Sequence, residues 1–233
     1  MEHRLGVLGG MGPQATQVFY QRILDRTDAV RDQDHLPTLI FSDTAIPDRT
    51  EAILSGREDQ VYQRLLAGAK LLEGAGCTCL AIPCNTSHYF APRLEQVLSI
   101  PLLHMPRLAV AQAAQLGRKK IAILATEGTV KTGVYQTECD ALGLTAWSPD
   151  SDIQALVTSI IYDEIKRGET GSREKFAAID KAARAAGCDA AVLGCTELSV
   201  YHAYHNLPDY YIDAMDLLAQ EAILRCGKRL REV

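Results

Sequence analysis

The chain of 233 residues has no apolar run approaching the ~20 residues that a bilayer-spanning helix needs, no Cys-x-x-Cys pair, and no Ser/Gly-rich or low-complexity tract. These absences exclude a membrane-spanning helix, a paired-cysteine zinc or redox motif, and a string of tethered domains. Basic residues are in deficit: 24 Lys and Arg against 29 Asp and Glu leave a net charge of −5, so nothing in the bulk charge gathers a phosphate backbone and no nucleic-acid partner is expected. The opening residues Met1 to Gly10 hold only a few apolar residues before glycines, and the seven cysteines are an odd number. Reduced thiols in a cytoplasmic protein are therefore expected, without a disulfide framework. What is present, 47% apolar and 23% charged residues, is the balance of a soluble globule with a substantial core.

Short β-rich runs alternate with longer amphipathic stretches. Strands are expected at Leu5 to Leu8, Thr38 to Phe41, Cys79 to Ile82, Lys120 to Leu124, Ala190 to Leu193 and Tyr210 to Ile212. Helices are expected at Pro13 to Asp25, Asp59 to Glu73, Ser87 to Val97, Pro106 to Gln115, Ser151 to Lys166, Ser172 to Ala185 and Ala214 to Arg229. Such alternation implies an α/β fold with mainly parallel sheets flanked by helices, because parallel neighbours need crossover connections. Pro13 suits a first helical position, Gly117 and Gly143 follow helical runs, and Asp213 suits the cap of the last helix. Arg225, Lys228, Arg229 and Arg231 then fall in that helix's last turns, where cations complement the dipole.

The sequence also echoes itself. Ala75-Gly76-Cys77, an apolar strand and Cys84-Asn85-Thr86 correspond to Ala186-Gly187-Cys188, an apolar strand and Cys195-Thr196-Glu197, at a constant offset of 111 residues. Leu5 to Gly12 and Ile121 to Gly128 echo one another in the same order. Two copies of one α/β unit explain this. The expected domains are residues 1–101 with 213–233, and 102–212. Related by a pseudo-two-fold, the copies would present Cys84 and Cys195 to one molecule from opposite sides of an interdomain cleft, beyond the carboxyl ends of the strands, where α/β folds bind ligands.

A thiol with a pKa near 8.5 is about 3% ionised at pH 7, and raising that to half requires about 2 kcal/mol. A cysteine just before a helix start meets unpaired N–H groups and the helix dipole, so both thiols are expected to be depressed in pKa and first to be alkylated. In a closed cleft the pair would hold one proton between two sulfurs. A base on one face of a carbon and an acid on the other remove a proton and return it with inversion, which is racemisation. Cys77, Cys79, Cys139, Cys188 and Cys226 are read as buried structural thiols.

Gly9-Gly10-Met11-Gly12-Pro13, Ile46-Pro47-Asp48-Arg49-Thr50, Pro83-Cys84-Asn85-Thr86-Ser87-His88 and Gly194-Cys195-Thr196-Glu197-Leu198-Ser199 resemble the signature segments of the cofactor-independent aspartate racemases, within the aspartate/glutamate racemase superfamily. The resemblance implies a two-domain pseudo-symmetric fold, usually a homodimer, acting on an acidic amino acid with Cys84 and Cys195 as catalytic bases. It implies that Arg49 and Lys166 meet the substrate carboxylates, that Asn85, Thr86 and Thr196 line the cysteines, and that Thr126 and Thr129 face them. Met11, Asp48, Tyr162 and Glu197 are the implied pocket neighbours. The chain departs from the family's frequent Thr-Thr-Gly-Thr at Thr126-Glu127-Gly128-Thr129. An anion there either sits outside the pocket or repels a second carboxylate.

Gly10-Met11-Gly12-Pro13-Gln14-Ala15 also matches the G-x-G-x-x-A dinucleotide fingerprint. Pro13, however, deletes an N–H that pyrophosphate would use, and the next strand ends at Asp43, 28 residues past Ala15, against the usual spacing of about 20. An NAD-dependent oxidoreductase and a non-catalytic binder of small acids are the alternatives of other classes. Within the superfamily, glutamate racemase, hydantoin racemase and decarboxylases are rivals. His88, four residues past Cys84, either positions the thiol or packs. His202 and His205 lie three apart without an evident third ligand, so no metal is expected. No pyridoxal or other cofactor is expected.

Overall fold

The structure is a computed structural model and describes residues 3–232. It is α/β, with two four-stranded, wholly parallel sheets flanked by helices. The chain divides into two compact units, Met1–Met105 with Met215–Val233, and Pro106–Ala214.

The elements before the second unit run β1 (Leu5–Gly9), α1 (Pro13–Arg26), β2 (Thr38–Ser42), α2 (Arg49–Leu54), α3 (Glu58–Gly74), β3 (Cys79–Ala81), α4 (Ala91–Glu95) and β4 (Leu102–Leu103). Next come α5 (Met105–Gln115), β5 (Lys120–Ala125), α6 (Glu127–Thr132), α7 (Val134–Ala141), β6 (Thr145–Trp147) and α8 (Ser151–Ser159). The chain ends with α9 (Arg173–Ala185), β7 (Ala190–Gly194), α10 (Thr196–His205), β8 (Tyr211–Asp213) and α11 (Ala214–Arg225). The strand orders are β2-β1-β3-β4 and β6-β5-β7-β8, the same order repeated four strands later. The repeat seen in the sequence is thus a repeat of topology: β3 and β7, the strands that lead to Cys84 and Cys195, hold the same place in their sheets.

β1 and β7 are buried from end to end, as parallel strands covered on both faces must be. The Gly9-Gly10 run has a packing cause. A Cβ on Gly9 would lie 2.4 Å from the Thr16 hydroxyl oxygen, and one on Gly10, whose φ is +92°, would lie 2.5 Å from the Asp43 backbone. The Gly10 N–H donates to that Thr16 hydroxyl at 2.9 Å, which ties the strand end to the first turn of α1. Pro13 opens α1 as expected.

Several expectations need correction. β4 and β6 add to the six expected strands. Ser87 to Val97 is a 3-10 turn (Thr86–Phe90) followed by α4, and Ser151 to Lys166 is α8, then a π turn (Ile160–Glu164), then a 3-10 turn (Ile165–Arg167). The last helix ends at Arg225, so Lys228, Arg229 and Arg231 follow it. Among the described residues, no helix is long and apolar enough to cross a membrane.

Candidate active site

In the first unit, Cys84 follows β3 and is buried in one hydrophobic cluster with Leu8, Met11, Ile46, Ala52 and Phe90. Its carbonyl is held by His88, whose Nδ1 is 3.0 Å away, and the Met105 backbone N–H donates to Nε2 of the same ring at 3.1 Å. The Leu103 carbonyl lies 3.3 Å from the same Nε2. His88 therefore fixes the backbone of the cysteine loop. Asn85 and Thr86 are buried beside it.

Arg49 opens α2, and the preceding Asp48 caps that helix by accepting from the Glu51 N–H at 2.8 Å. The guanidinium donates to the Pro47 carbonyl at 3.1 Å and the Met11 carbonyl at 3.3 Å, while the Ser87 hydroxyl donates to Met11 Sδ at 3.3 Å. Met11 thus joins Arg49 to the segment that carries Cys84. Ser87 was not among the expected site residues; its signal lay in the motif next to Thr86.

In the second unit, Cys195 is the N-cap of α10. Its thiol donates to Glu197 Oε2 at 2.8 Å, and the Thr196 hydroxyl donates to the same oxygen at 3.1 Å. Lys166 Nζ holds the other carboxylate oxygen at 2.6 Å and stands 5.5 Å from the Tyr162 ring centroid. Cys195, Thr196, Glu197, Lys166 and Tyr162 are therefore one constellation. The Thr126 hydroxyl caps α6 and lies 3.0 Å from the Thr129 hydroxyl, both buried, while Glu127 between them is exposed in the helix's first turn. The chain's departure from the family pattern is thus an outward-facing anion on the favourable end of a helix.

Burial pushes the Cys195 thiol well above its ordinary pKa; the Glu197 charge adds to this, and Lys166 offsets part of it. Burial also works against the Glu197 carboxylate, but Lys166 and the hydrogen bonds from Cys195 and Lys166 outweigh it and hold Glu197 below its ordinary value. The expectation of a depressed Cys195 is corrected: the helix start is outweighed by a dry site and a neighbouring anion. All seven cysteines are buried, so access does not single out Cys84 and Cys195 for alkylation either. Tyr135, wholly buried, senses the charges of Cys195 and Asp213, and Asp213 accepts from the Ser199 hydroxyl at 2.7 Å. Nothing in the spacing pointed to Tyr135. His202 accepts from the Leu207 N–H and His205 from Arg173 Nε, so both serve the end of α10.

Residues 8–222 match the family model described as Asp/Glu/Hydantoin racemase. The chain is similar to the solved structure of Picrophilus torridus aspartate racemase, with 31% identity and a TM-score of 0.86 over 98% of this chain and 96% of that one. It is 30% identical to the broad specificity amino-acid racemase RacX of Bacillus subtilis over 57% of this chain and 58% of the relative. It is 34% identical to the glutamate racemase of Corynebacterium diphtheriae over 59% and 51% respectively. The chain spans little more than half the length of these two curated relatives.

Proposed function

The chain belongs to the Asp/Glu/hydantoin racemase family, and on that premise we propose that it interconverts L- and D-aspartate by a two-base proton transfer at Cα, with Cys84 and Cys195 as the bases. The equivalence of the two cysteines carries this: each follows the strand in the same place of two sheets with one repeated strand order. In one direction Cys195 takes the α-proton and Cys84 returns one from the other face. The opposite enantiomer exchanges the roles. Neither a metal nor pyridoxal takes part, so the weakly acidic α-proton is met by placed charges and exclusion of water.

Arg49 offers a planar fork to one substrate carboxylate and Lys166 a point charge to the other. Asn85, Thr86, Thr126, Thr129 and Thr196 supply neutral hydrogen-bonding groups, and Met11, Asp48 and Tyr162 support them. Similarity to an aspartate racemase over nearly the full length of both chains supports aspartate. The glutamate and broad-specificity relatives favour a second reading in which glutamate is also turned over. One methylene is worth only about 1–3 kcal/mol, so the two are close. The homodimer implied by the resemblance remains part of the proposal.

The test is α-deuterium uptake and optical rotation in D₂O with each enantiomer of aspartate, glutamate and alanine. Exchange with inversion is expected for aspartate in both directions and weakly for alanine, which lacks the second carboxylate. Cys84→Ala and Cys195→Ala should each abolish it, and Arg49→Ala should strongly reduce it. Substantial turnover by either cysteine variant would replace the two-base mechanism with a one-base one.

A further inference from the structure

Glu197 divides its carboxylate between two partners. Oε2 accepts from the Cys195 thiol at 2.8 Å, and Oε1 accepts from Lys166 Nζ at 2.6 Å. With side-chain exposures of 8% for Glu197 and 28% for Lys166, the ammonium is the more solvent-accessible partner of a nearly buried carboxylate. The thiol proton therefore already points at a base, and the base is held weak by the cation on its far oxygen. Moving the proton from sulfur to Oε2 would carry the negative charge away from an ammonium 2.6 Å off. While Lys166 stays, the proton stays on sulfur. An anion that engages Lys166 weakens this hold, and a substrate carboxylate is such an anion.

We propose that Glu197 takes the Cys195 proton when a substrate carboxylate draws Lys166 away, so that the Cys195 thiolate forms in the loaded enzyme only. The inference rests on the assignment of Cys195 as one of the two bases. The S–H bond breaks, an Oε2–H bond forms and the electron pair stays on sulfur. For the enantiomer whose α-hydrogen faces Cys195, the thiolate then takes that hydrogen as a proton while Cys84 donates its own from the other face, and the opposite enantiomer runs these steps in reverse. When product leaves, Lys166 returns, the Glu197 proton goes to water and Cys84 is reprotonated from water, so protons balance over the turnover. Glu197 acts through Cys195, as a positioning and proton-holding residue, and Lys166 is the sensor of the substrate's charge.

The test uses Cys84→Ser, which blocks turnover, and follows ultraviolet thiolate absorbance as L-aspartate, D-aspartate or succinate is added. A gain of about one thiolate per chain is expected, and no gain is expected in Cys84→Ser/Glu197→Gln. Glutamine keeps an acceptor for the thiol, so a merely structural role for Glu197 would leave the gain in place. A second variant, Cys84→Ser/Lys166→Met, should show no ligand-dependent gain, because the ammonium to be drawn away is missing. Binding of each ligand is measured by calorimetry and folding by far-ultraviolet circular dichroism. No gain in Cys84→Ser with ligand bound, or an equal gain in either double variant, overturns the relay. If instead Cys195→Ala still racemises aspartate, the two-base assignment itself has failed, which the thiolate signal does not decide.

Discussion

Cys195 and Glu197 share one contact with opposite effects: it helps to keep the sulfur protonated and the carboxylate ionised. The consequence for stability has a definite sign. Glu197 titrates lower in the folded chain than its ordinary value of 4.5, so its contribution is complete above that pH and is lost as pH falls through the lower folded value. Thermal melts from pH 6 downward should therefore show the wild type losing stability below about pH 4.5 more steeply than Glu197→Gln, which has no proton to gain. Equal slopes would mean that the Lys166 contact does not survive in solution. The two cysteines were legible because the constant offset pairs them, as it pairs Cys77 with Cys188, and of those two pairs only Cys84 and Cys195 follow their strands. Glu197 and Lys166 were legible through the motif resemblance. That they bind each other was not, since they stand 31 residues apart and an ion pair across elements leaves no spacing signature. The raised Cys195 pKa was missed for a related reason: a helix start is visible in sequence, whereas burial and a facing carboxylate are tertiary facts.

The elements that carry the site are the ones least visible in advance. α2 and α6 have six residues each, too short for an amphipathic period to register, and Thr196 to Tyr201 of α10 are all buried, so no polar face marks that helix. β4 has two residues and β6 three, below the length at which alternation can be read. The run from Ser151 to Lys166 is apolar enough for one helix, but its π and 3-10 turns set where Tyr162 and Lys166 emerge. α2 shows how a short element does chemical work, because Asp48 caps it and Arg49 is its first residue. Asp48→Ala removes the cap and should cost about 1 kcal/mol in urea unfolding, while Asp48→Asn, which keeps an acceptor, should cost much less. The Michaelis constant for aspartate should rise in Asp48→Ala, since the loosened first turn carries Arg49. An Asp48→Ala variant that is destabilised but has an unchanged Michaelis constant would separate the cap from substrate binding.

At the scale of the whole chain, the repeated strand order accounts for most of what could be read early: the motif echo identified equivalent strands before any strand was paired, and β1 to β4 and β5 to β8 then follow one plan. What the repeat does not contain is the segment after β8, which returns to the first unit. Asp216, in the first turn of α11, accepts two hydrogen bonds from Arg26 at 3.0 Å each and one from Gln220 at 2.8 Å. Beyond the helix, the Arg231 N–H donates to the Arg26 carbonyl at 2.7 Å, and the Asp28 N–H donates to the Arg229 carbonyl at 2.9 Å. The end of α1 is therefore the point at which the two sequence-distant parts of this unit are joined by paired, charge-assisted bonds. With side chains 36% and 17% exposed, the Arg26–Asp216 pair is partly screened, which brings its expected worth to about 1 kcal/mol rather than the larger value of a buried fork. Arg26→Ala should lower the urea midpoint accordingly. Because the join lies in the first unit, hydrogen exchange in that variant should rise first at α1 and α11 and leave β5 and β7 protected. Uniform loss of protection across both sheets would instead mean that the chain unfolds as one cooperative body, with the closure of the first unit essential to the second.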